Sequence, residues 1–343
     1  MKNSALTNAA SIVILLFSII YTLHLGRPLI LPLVVALVLW YIIIRVTKLV
    51  QRVEIGPWNP PYSLALTVSI VIAIMILYFF VELVSQSIAN IINEAPAYQA
   101  RLQELLNMAS TLIHKKIELV QIIQTINFKS WLSKIAVIIS SMTSNFTLIL
   151  IYLLFLLLEY KTFDKKIRRV CSTDKQYKHA SEIISKIDED INTYLKIKTS
   201  VNALAGLLSY ILLLSFHVNY AEFWGVMFFL LHYIPFIGPI VGVIVVLLAT
   251  SIQVTNFYAF GILGFLLIAV QFLVGNFLEP RWMGTRLNLS PIIILISLAF
   301  WGALWGIIGM FFCVPLMVII AIILAKFPNT RPAAVLLTTS GDL

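Results

Sequence analysis

The sequence predicts an all-α membrane protein that crosses the bilayer several times. Hydrophobic residues make up 60% of its 343 positions, only 11% are charged, and the charges lie between long uncharged stretches rather than within them. Soluble domains have roughly 45–50% apolar and about 25% charged residues. A soluble fold would therefore leave much of this apolar surface in contact with water, whereas a polytopic membrane protein covers it with lipid.

Uncharged stretches define the predicted spans, because an ionised side chain at the bilayer centre costs about 3 kcal/mol or more. Five stretches have the length of a single span, and two longer blocks follow them. The single spans are 9–25, 28–44, 55–81, 135–158 and 199–221, and the blocks are 223–278 and 287–325. The first block is longer than two spans of about 20 residues each, so it contains an additional element.

That additional element is a helix break between Pro235 and Pro239. These two prolines flank Gly238, and together they remove backbone donors and interrupt a helix in mid-membrane. The break divides 223–251 into two arms of about 13 residues, which reach about 20 Å and fall short of the ~30 Å hydrocarbon core. We therefore predict a re-entrant helical hairpin here, with a sixth full span after it.

The second block, 287–325, is also too long for a single pass. Gly302, Gly306 and Gly309 interrupt its middle, and Pro315 follows them. We interpret this block as a second re-entrant hairpin whose breaks and gating positions lie at these residues. The predicted fold is thus six full spans plus two re-entrant hairpins, and the alternative is eight transmembrane helices.

The positive charges predict the orientation, because short cytoplasmic loops collect Lys and Arg. With six spans, both hairpins returning to their own side and both termini in the cytoplasm, 18 of the 24 Lys and Arg residues are cytoplasmic. Eight full spans would move Arg281 and Arg286 outside and reduce the bias to 16 against 8. The charge distribution therefore favours the hairpins.

Five segments follow from this layout. Residues 1–81 hold the first three transmembrane helices, 82–134 form an extracytoplasmic amphipathic region, and 135–198 hold the fourth span and a basic cytoplasmic loop. Residues 199–325 form the transport core, and 326–343 are a cytoplasmic tail. Apolar residues recur at helical spacing in 82–134 and towards the end of the basic loop, which we expect to run as a helix into the fifth span.

The two hairpins share a short pattern. Each contains Phe-Trp-Gly, at 223–225 and 300–302, and each has two glycines four positions apart, which allow helices to approach closely in lipid. In the predicted topology one hairpin enters from outside and the other from inside. We interpret this as an inverted repeat in the C-terminal half of the chain.

Several classes of chemistry have no motif in the sequence. The phosphate-binding Gly-x-x-x-x-Gly-Lys-Ser/Thr pattern and the Gly-x-Ser-x-Gly elbow are missing, and the five histidines lack zinc-ligand spacing. The positive charges lie in loops, which explains them without a nucleic-acid partner. We expect no enzymatic activity, catalytic residue, cofactor or metal, and we expect the lipid bilayer and a small-molecule solute as partners.

Charged residues meet helix breakers just after the first long block. Glu279, Arg281 and Arg286 lie beside Pro280 and Gly284, and irregular polar backbone at membrane depth persists only where protein or a water-filled cavity satisfies it. Two interpretations stay open. Glu279 neutralises an arginine in a structural clamp, or these side chains contact the solute directly.

Neutral polar residues lie within or beside the predicted spans. Asn202, Gln271 and Asn276 provide hydrogen-bond donors and acceptors without charge, which suits a hydroxyl-rich uncharged solute. His232 lies three residues before Pro235, and we interpret it as a packed or surface histidine rather than a proton relay.

Three motifs in the C-terminal half form a recognisable set. The first consists of Gly275, Asn276, Glu279, Pro280, Arg281, Met283, Gly284, Leu287, Leu289, Ser290 and Pro291. The second consists of Trp301, Gly302, Trp305, Gly306, Gly309, Met310, Val314, Pro315 and Leu316, and the third is Pro-Phe-Ile-Gly-Pro at 235–239. Over residues 194–327 the chain resembles the autoinducer-2 exporter superfamily of bacterial membrane proteins.

The resemblance implies export of the furanosyl-diol signal autoinducer-2 in quorum sensing. It also implies a location in the bacterial inner membrane and a homo-oligomeric assembly, with a pentamer as the candidate. Other members of that superfamily resemble sodium or lithium/proton antiporters, so the family does not by itself define the solute.

Three functions are compatible with these observations. The leading hypothesis is a secondary transporter or facilitator in which the two hairpins close opposite sides of a mid-membrane site. The alternative is a Na⁺(Li⁺)/H⁺ antiporter in which Glu279 titrates and H⁺ or Na⁺ is the coupling ion. The third is a scaffold that binds other membrane proteins through 82–134 and moves no solute.

Overall fold

The computed structural model describes residues 2–52, 60–113, 146–251, 253–284 and 288–341. Within these ranges the chain is nearly all helical, and its β-structure is limited to an isolated bridge between Leu289 and Thr338. A π-helical turn, Val274–Leu278, joins the helices Phe257–Leu273 and Glu279–Met283. The helices are α1 (Lys2–Leu25), α2 (Arg27–Val50), α3 (Tyr62–Ile113), α4 (Phe146–Val170), α5 (Asp174–Ser215), α6 (Ala221–Leu231), α7 (Ile237–Thr250), α8 (Phe257–Leu273), α9 (Glu279–Met283), α10 (Pro291–Trp305), α11 (Ile307–Lys326) and α12 (Arg331–Leu337).

Five of the described helices are long and apolar enough to cross a bilayer, which confirms a multi-pass all-α protein. They are α2, the first part of α3, α5, the continuous α8–π–α9 helix and α11. A sixth is α4, if the two parts on either side of its 71° bend form one span. In α1 the apolar stretch Val13–Leu25 is shorter than a full membrane span, so the total of six full spans stays a prediction.

Two helices continue well beyond the predicted spans. Helix α3 has 52 residues and extends from the third span into the segment 82–134 as far as Ile113. The rest of that segment lies outside the described residues. Helix α5 has 42 residues, which confirms that the basic loop runs as a helix into the fifth span.

The chain divides into two compact units that cut across the five predicted segments. The first contains 1–75, 143–182 and 292–317, and the second contains 76–142, 183–291 and 318–343. Helices α3, α5 and α11 each continue from one unit into the other. Within the first unit α2 packs along α4, where the Trp40 and Tyr160 rings meet edge to face at 5.7 Å.

The core of the second unit surrounds helix α6. Trp224 and Phe228 are at most 2% exposed, and they belong to one apolar cluster with Ile91 of α3, Val246 of α7 and Leu263 of α8. This cluster fixes α6 and α7 within the unit, because burial of such large side chains is the dominant favourable term in packing.

Helices α6 and α7 form a tight antiparallel hairpin in the second unit. A Cβ on Gly238 would overlap the carbonyl oxygen of Leu231, and a Cβ on Gly242 would lie 2.9 Å from the Phe228 ring. These partners are 7 and 14 residues apart in sequence, so the chain must reverse direction between them. The helix break therefore occurs where the Pro-Phe-Ile-Gly-Pro motif predicts it.

The turn of this first hairpin is strained at Phe236. Its backbone has φ +59° and ψ −53°, and the Ile237 N–H donates to the Pro235 carbonyl at 2.6 Å. This is a γ-turn with a positive central φ, which is unfavourable for a residue that carries a side chain. Pro239 lies in the first turn of α7, where a backbone N–H has no intrahelical partner to lose.

A second tight hairpin lies in the first unit, between α10 and the start of α11. Gly306 forms its turn with φ +68°. A Cβ on Gly309 would overlap the carbonyl oxygen of Trp301, eight residues earlier, so the two arms touch. Pro315 lies inside α11, which continues to Lys326, so the helix break is at Gly306 and not at Pro315.

The turn at Gly306 lies beside the connection between α1 and α2. The Trp305 indole N–H donates to the Leu23 carbonyl at 3.2 Å, and a Cβ on Gly306 would lie 3.6 Å from Nη2 of Arg27. Both contacts are within the first unit. The turn of the second hairpin thus lies next to the junction between α1 and α2.

The two Phe-Trp-Gly motifs make different contacts. A Cβ on Gly225 would meet Gly206 and Tyr210 of α5, whereas a Cβ on Gly302 would meet Met310 in the opposite arm of its own hairpin. One glycine therefore allows a neighbouring helix to approach, and the other allows the hairpin itself to close. The inverted repeat stays a prediction.

Candidate functional site

One face of α5 carries buried polar side chains. Lys198, Asn202 and Ser209 are at most 3% exposed, although the uncharged part of this helix has the composition of a membrane span. Positions four and eleven residues apart lie within about 40° of each other around an α-helix. The three side chains therefore form one polar strip along α5.

The continuous α8–π–α9 helix packs antiparallel against this strip. Gln271 donates from Nε2 to the Ser209 hydroxyl oxygen at 2.9 Å, and Lys198 donates from Nζ to Oε1 of Glu279 at 2.5 Å. Val274 lies in an apolar cluster with residues of α5 between these two contacts. The polar strip is thus closed at both ends by side chains from one opposing helix.

The π turn Val274–Leu278 determines which way Glu279 faces. In an uninterrupted α-helix Glu279 would lie about 80° around the axis from Gln271, eight residues earlier. A π turn contains more residues per turn, so it brings Glu279 back towards the face of Gln271. Pro280 favours the π turn at this place, because in an α-helix its ring would clash with the carbonyl of Asn276.

The turn after α6 brings a third element to the strip. The hydroxyls of Thr199 and Tyr233 share a hydrogen bond of 2.7 Å, which fixes this turn against α5. His232 is 1% exposed and faces Gly275 in the π turn. A Cβ on Gly275 would lie 4.0 Å from Nε2 of His232, and no other neighbouring atom of the described structure comes within 4 Å of that position.

Five buried polar atoms around this strip have no hydrogen-bond partner among the described residues. They are both amide atoms of Asn202, both ring nitrogens of His232 and Oε1 of Gln271. Buried polar groups are normally paired, and each unpaired group costs about 1–3 kcal/mol. They lie where α5, the α8–π–α9 helix and the turn after α6 meet, which makes this place the candidate site for a polar ligand.

Glu279 and Gln271 are thus brought together with Asn202, but the partner of Glu279 differs from the predicted one. The structural clamp pairs Glu279 with Lys198 rather than with an arginine. These residues are 81 positions apart. Lys198 is the last residue of the predicted basic cytoplasmic loop. Its helical spacing with Asn202 was the available signal for a place on the buried face.

The other predicted site residues lie elsewhere. Asn276 is exposed, and its amide donates to the Phe272 carbonyl of its own helix at 3.1 Å. Arg281 is exposed on α9. Arg286 lies outside the described residues. His232 is packed, as the sequence predicts, but its ring nitrogens lack the partners that a purely structural histidine would have.

The sequence matches a known protein family over residues 10–329, described as AI-2E family transporter. The chain is 30% identical to a Haemophilus influenzae protein provisionally described as a transport protein, over 98% of this chain and 96% of the relative. It is also 28% identical to the AI-2 transport protein TqsA of Escherichia coli, over 96% of each chain. The chain therefore belongs to the AI-2E family of membrane transporters.

Proposed function

We propose that this transporter exports a small neutral polar solute such as autoinducer-2, as a secondary transporter or facilitator. The observation that carries the proposal is the set of buried, unpaired polar atoms on Asn202, His232 and Gln271. Amide and imidazole groups offer hydrogen-bond donors and acceptors, so each of these side chains can bond to a hydroxyl-rich solute. The name of the E. coli relative, an AI-2 transport protein, supports the same solute.

The charges around the strip support a neutral solute. Lys198 and Glu279 are the charged side chains among the described residues of this site, and they bind each other. A charged solute would leave water for a site whose ionic groups already neutralise one another, which is unfavourable. For the same reason a Na⁺(Li⁺)/H⁺ antiport reaction through Glu279 has less support, because Na⁺ would have to displace a buried ammonium.

The lengths of the short helices support different depths for the two hairpins. Helices α6 and α7 have 11 and 14 residues and reach only about 16 Å and 21 Å, which fits a re-entrant hairpin. Helices α10 and α11 have 15 and 20 residues, or about 22 Å and 30 Å. We propose that the second hairpin extends to the membrane surface at which α1 joins α2, and returns.

In this topology the protein lies in the bacterial inner membrane, and both termini are in the cytoplasm. Cysteine accessibility labelling in intact cells tests it, with single cysteines at Lys161, Arg286 and Ile307, which is exposed next to the turn at Gly306. We expect the first two on the cytoplasmic side and Ile307 accessible from outside. Arg286 on the outside would overturn the topology.

We also propose a homo-oligomer, with a pentamer as the candidate. The native mass of the purified protein tests this separate proposal.

Reconstitution in liposomes tests the proposed function. Liposomes that contain the purified protein should release trapped labelled autoinducer-2 faster than protein-free liposomes do. A Na⁺ gradient should produce no proton movement. Glu279→Gln and Gly306→Leu should both abolish release, the second because φ +68° is unfavourable for a residue that carries a side chain. Sodium-driven proton movement would favour the antiporter, and release of no neutral solute would favour the scaffold.

A further inference from the structure

Lys198 occupies the boundary between two very different parts of α5. Before it the helix is rich in charges, and from Thr199 to Ser215 it has none. Lys198 is nevertheless 3% exposed. A buried ammonium is unfavourable without a bonded anion, so the packing of α5 at this point depends on the Glu279 carboxylate.

Glu279 in turn lies where its helix is least regular. The π turn Val274–Leu278 precedes it and Pro280, which lacks an N–H, follows it. Regular i→i−4 hydrogen bonds therefore fix the backbone less firmly here than within α8. Glu279 is 21% exposed, and its bond to Lys198 ties this irregular stretch to α5.

The ion pair is adjacent to the unpaired polar atoms. Lys198 lies one helical turn before Asn202, and Glu279 lies four residues after Gly275, which faces His232. A change in the ion pair would therefore alter the orientation of the π turn and the space between Gly275 and His232. The ion pair closes this end of the polar strip, at the charged end of α5.

We propose that Lys198 is a positioning residue for transport, which acts by holding Glu279 and the π turn in the register that places Gly275 opposite His232. This role rests on the proposed export function. It assigns to the Glu279-Pro280 motif a task distinct from solute contact, because the carboxylate is bound by Lys198 and directs the backbone that forms the site.

Four variants test the role of Lys198 against a matched control on the same helix. They are Lys198→Met, Lys198→Arg, Glu279→Gln and the exchange Lys198→Glu/Glu279→Lys. The control is Lys186→Met, because the exposed Lys186 side chain forms an ion pair with Asp190 at 3.1 Å on α5. Each variant is purified in detergent, and only a monodisperse protein is compared.

In liposomes, Lys198→Met should lower the maximal rate of autoinducer-2 release about tenfold or more, Glu279→Gln should abolish release, and the exchange should recover most of the lost rate. Lys198→Arg should stay within about threefold of the wild type, because it keeps the charge. Lys186→Met should release solute at the wild-type rate. A monodisperse Lys198→Met protein with the wild-type rate would overturn the role of Lys198.

A second readout is independent of transport. In a Cys171→Ser/Cys313→Ser background, a cysteine at Gly275 reports the access of a water-soluble maleimide to the π turn. Lys198→Met should change its labelling rate about tenfold, and the exchange should restore it. Unchanged labelling would overturn the positioning role. If the labelling changes but the wild type releases no solute, the ion pair has the positioning role and the proposed function is wrong.

Discussion

Gly275 and His232 face each other with room for one side-chain carbon between them. A Cβ built on Gly275 would come no closer than 4.0 Å to Nε2 of His232, whereas a Cβ on Gly206 or Gly238 would collide with backbone of a neighbouring segment. Gly206 and Gly238 thus permit close packing. Gly275 instead provides room beside an imidazole whose two nitrogens have no partner among the described residues.

This difference predicts the effect of filling the space. Gly275→Val should fold normally but lower the rate of solute release in liposomes about tenfold or more, because two methyl groups would occupy the volume next to His232. Gly261→Val is the matched control, since Gly261 lies in α8 and a Cβ there would meet nothing within 4 Å. Equal rates for the two variants would show that solute does not use this space.

Asn202 should show opposite effects on stability and transport. Asn202→Leu removes two buried polar atoms without partners, so it should raise the free energy of unfolding by about 1–3 kcal/mol. It should also abolish solute release, because the amide no longer offers hydrogen bonds. Thermal unfolding in detergent and release from liposomes measure the two effects.

Ser209→Ala provides the comparison for Asn202. Ser209 accepts a hydrogen bond from Gln271, so its loss leaves a buried amide unpaired and should destabilise the protein by about 1 kcal/mol. If Asn202→Leu destabilises the protein more than Ser209→Ala does, then Asn202 has partners in the folded state and is a packing residue.

The strained turn at Phe236 predicts that a glycine variant is more stable than an alanine variant there, which is the reverse of the usual order in helices. Phe236→Gly should be more stable than Phe236→Ala by about 1 kcal/mol, because glycine adopts φ +59° without strain. At Tyr258, an exposed position in the first turn of α8, alanine should be the more stable substitution. Thermal unfolding of the four variants measures both differences, and the same order at both positions would contradict the γ-turn.

The end of α12 and the residues after it should protect the backbone at 288–290, beyond the Glu279-Pro280 motif. The Ser290 N–H donates to the Leu337 carbonyl at 2.9 Å, and the Thr339 N–H donates to the Asn288 carbonyl at 3.1 Å. Truncation after residue 329 should therefore increase hydrogen exchange at the Ser290 amide about tenfold or more. Amides within α8 should keep their protection, and an unchanged rate at Ser290 would show that water-excluding contacts elsewhere protect this backbone.

Some features of this protein follow from the sequence because their causes are local. The lack of charges over about 20 residues predicts apolar helices, and closely spaced Pro and Gly residues predict a helix break, whereas the single Pro315 lies inside a continuous helix. The breaks at 232–236 and at Gly306 therefore lie where the motifs place them. The continuation of the basic loop into α5 was readable from apolar residues at helical spacing.

The partners within the site were decided by tertiary structure. Which side chains meet depends on how each helix is rotated, and one π turn rotates Glu279 by an amount that hydrophobic patterning does not encode. Asn276 and Gln271 carry the same polar group on one continuous helix. Asn276 is exposed and donates to the backbone of that helix, whereas Gln271 is buried and donates to Ser209 of α5. The Lys198–Glu279 pair joins residues far apart in the chain, and only the packing of two complete helices determines that they meet.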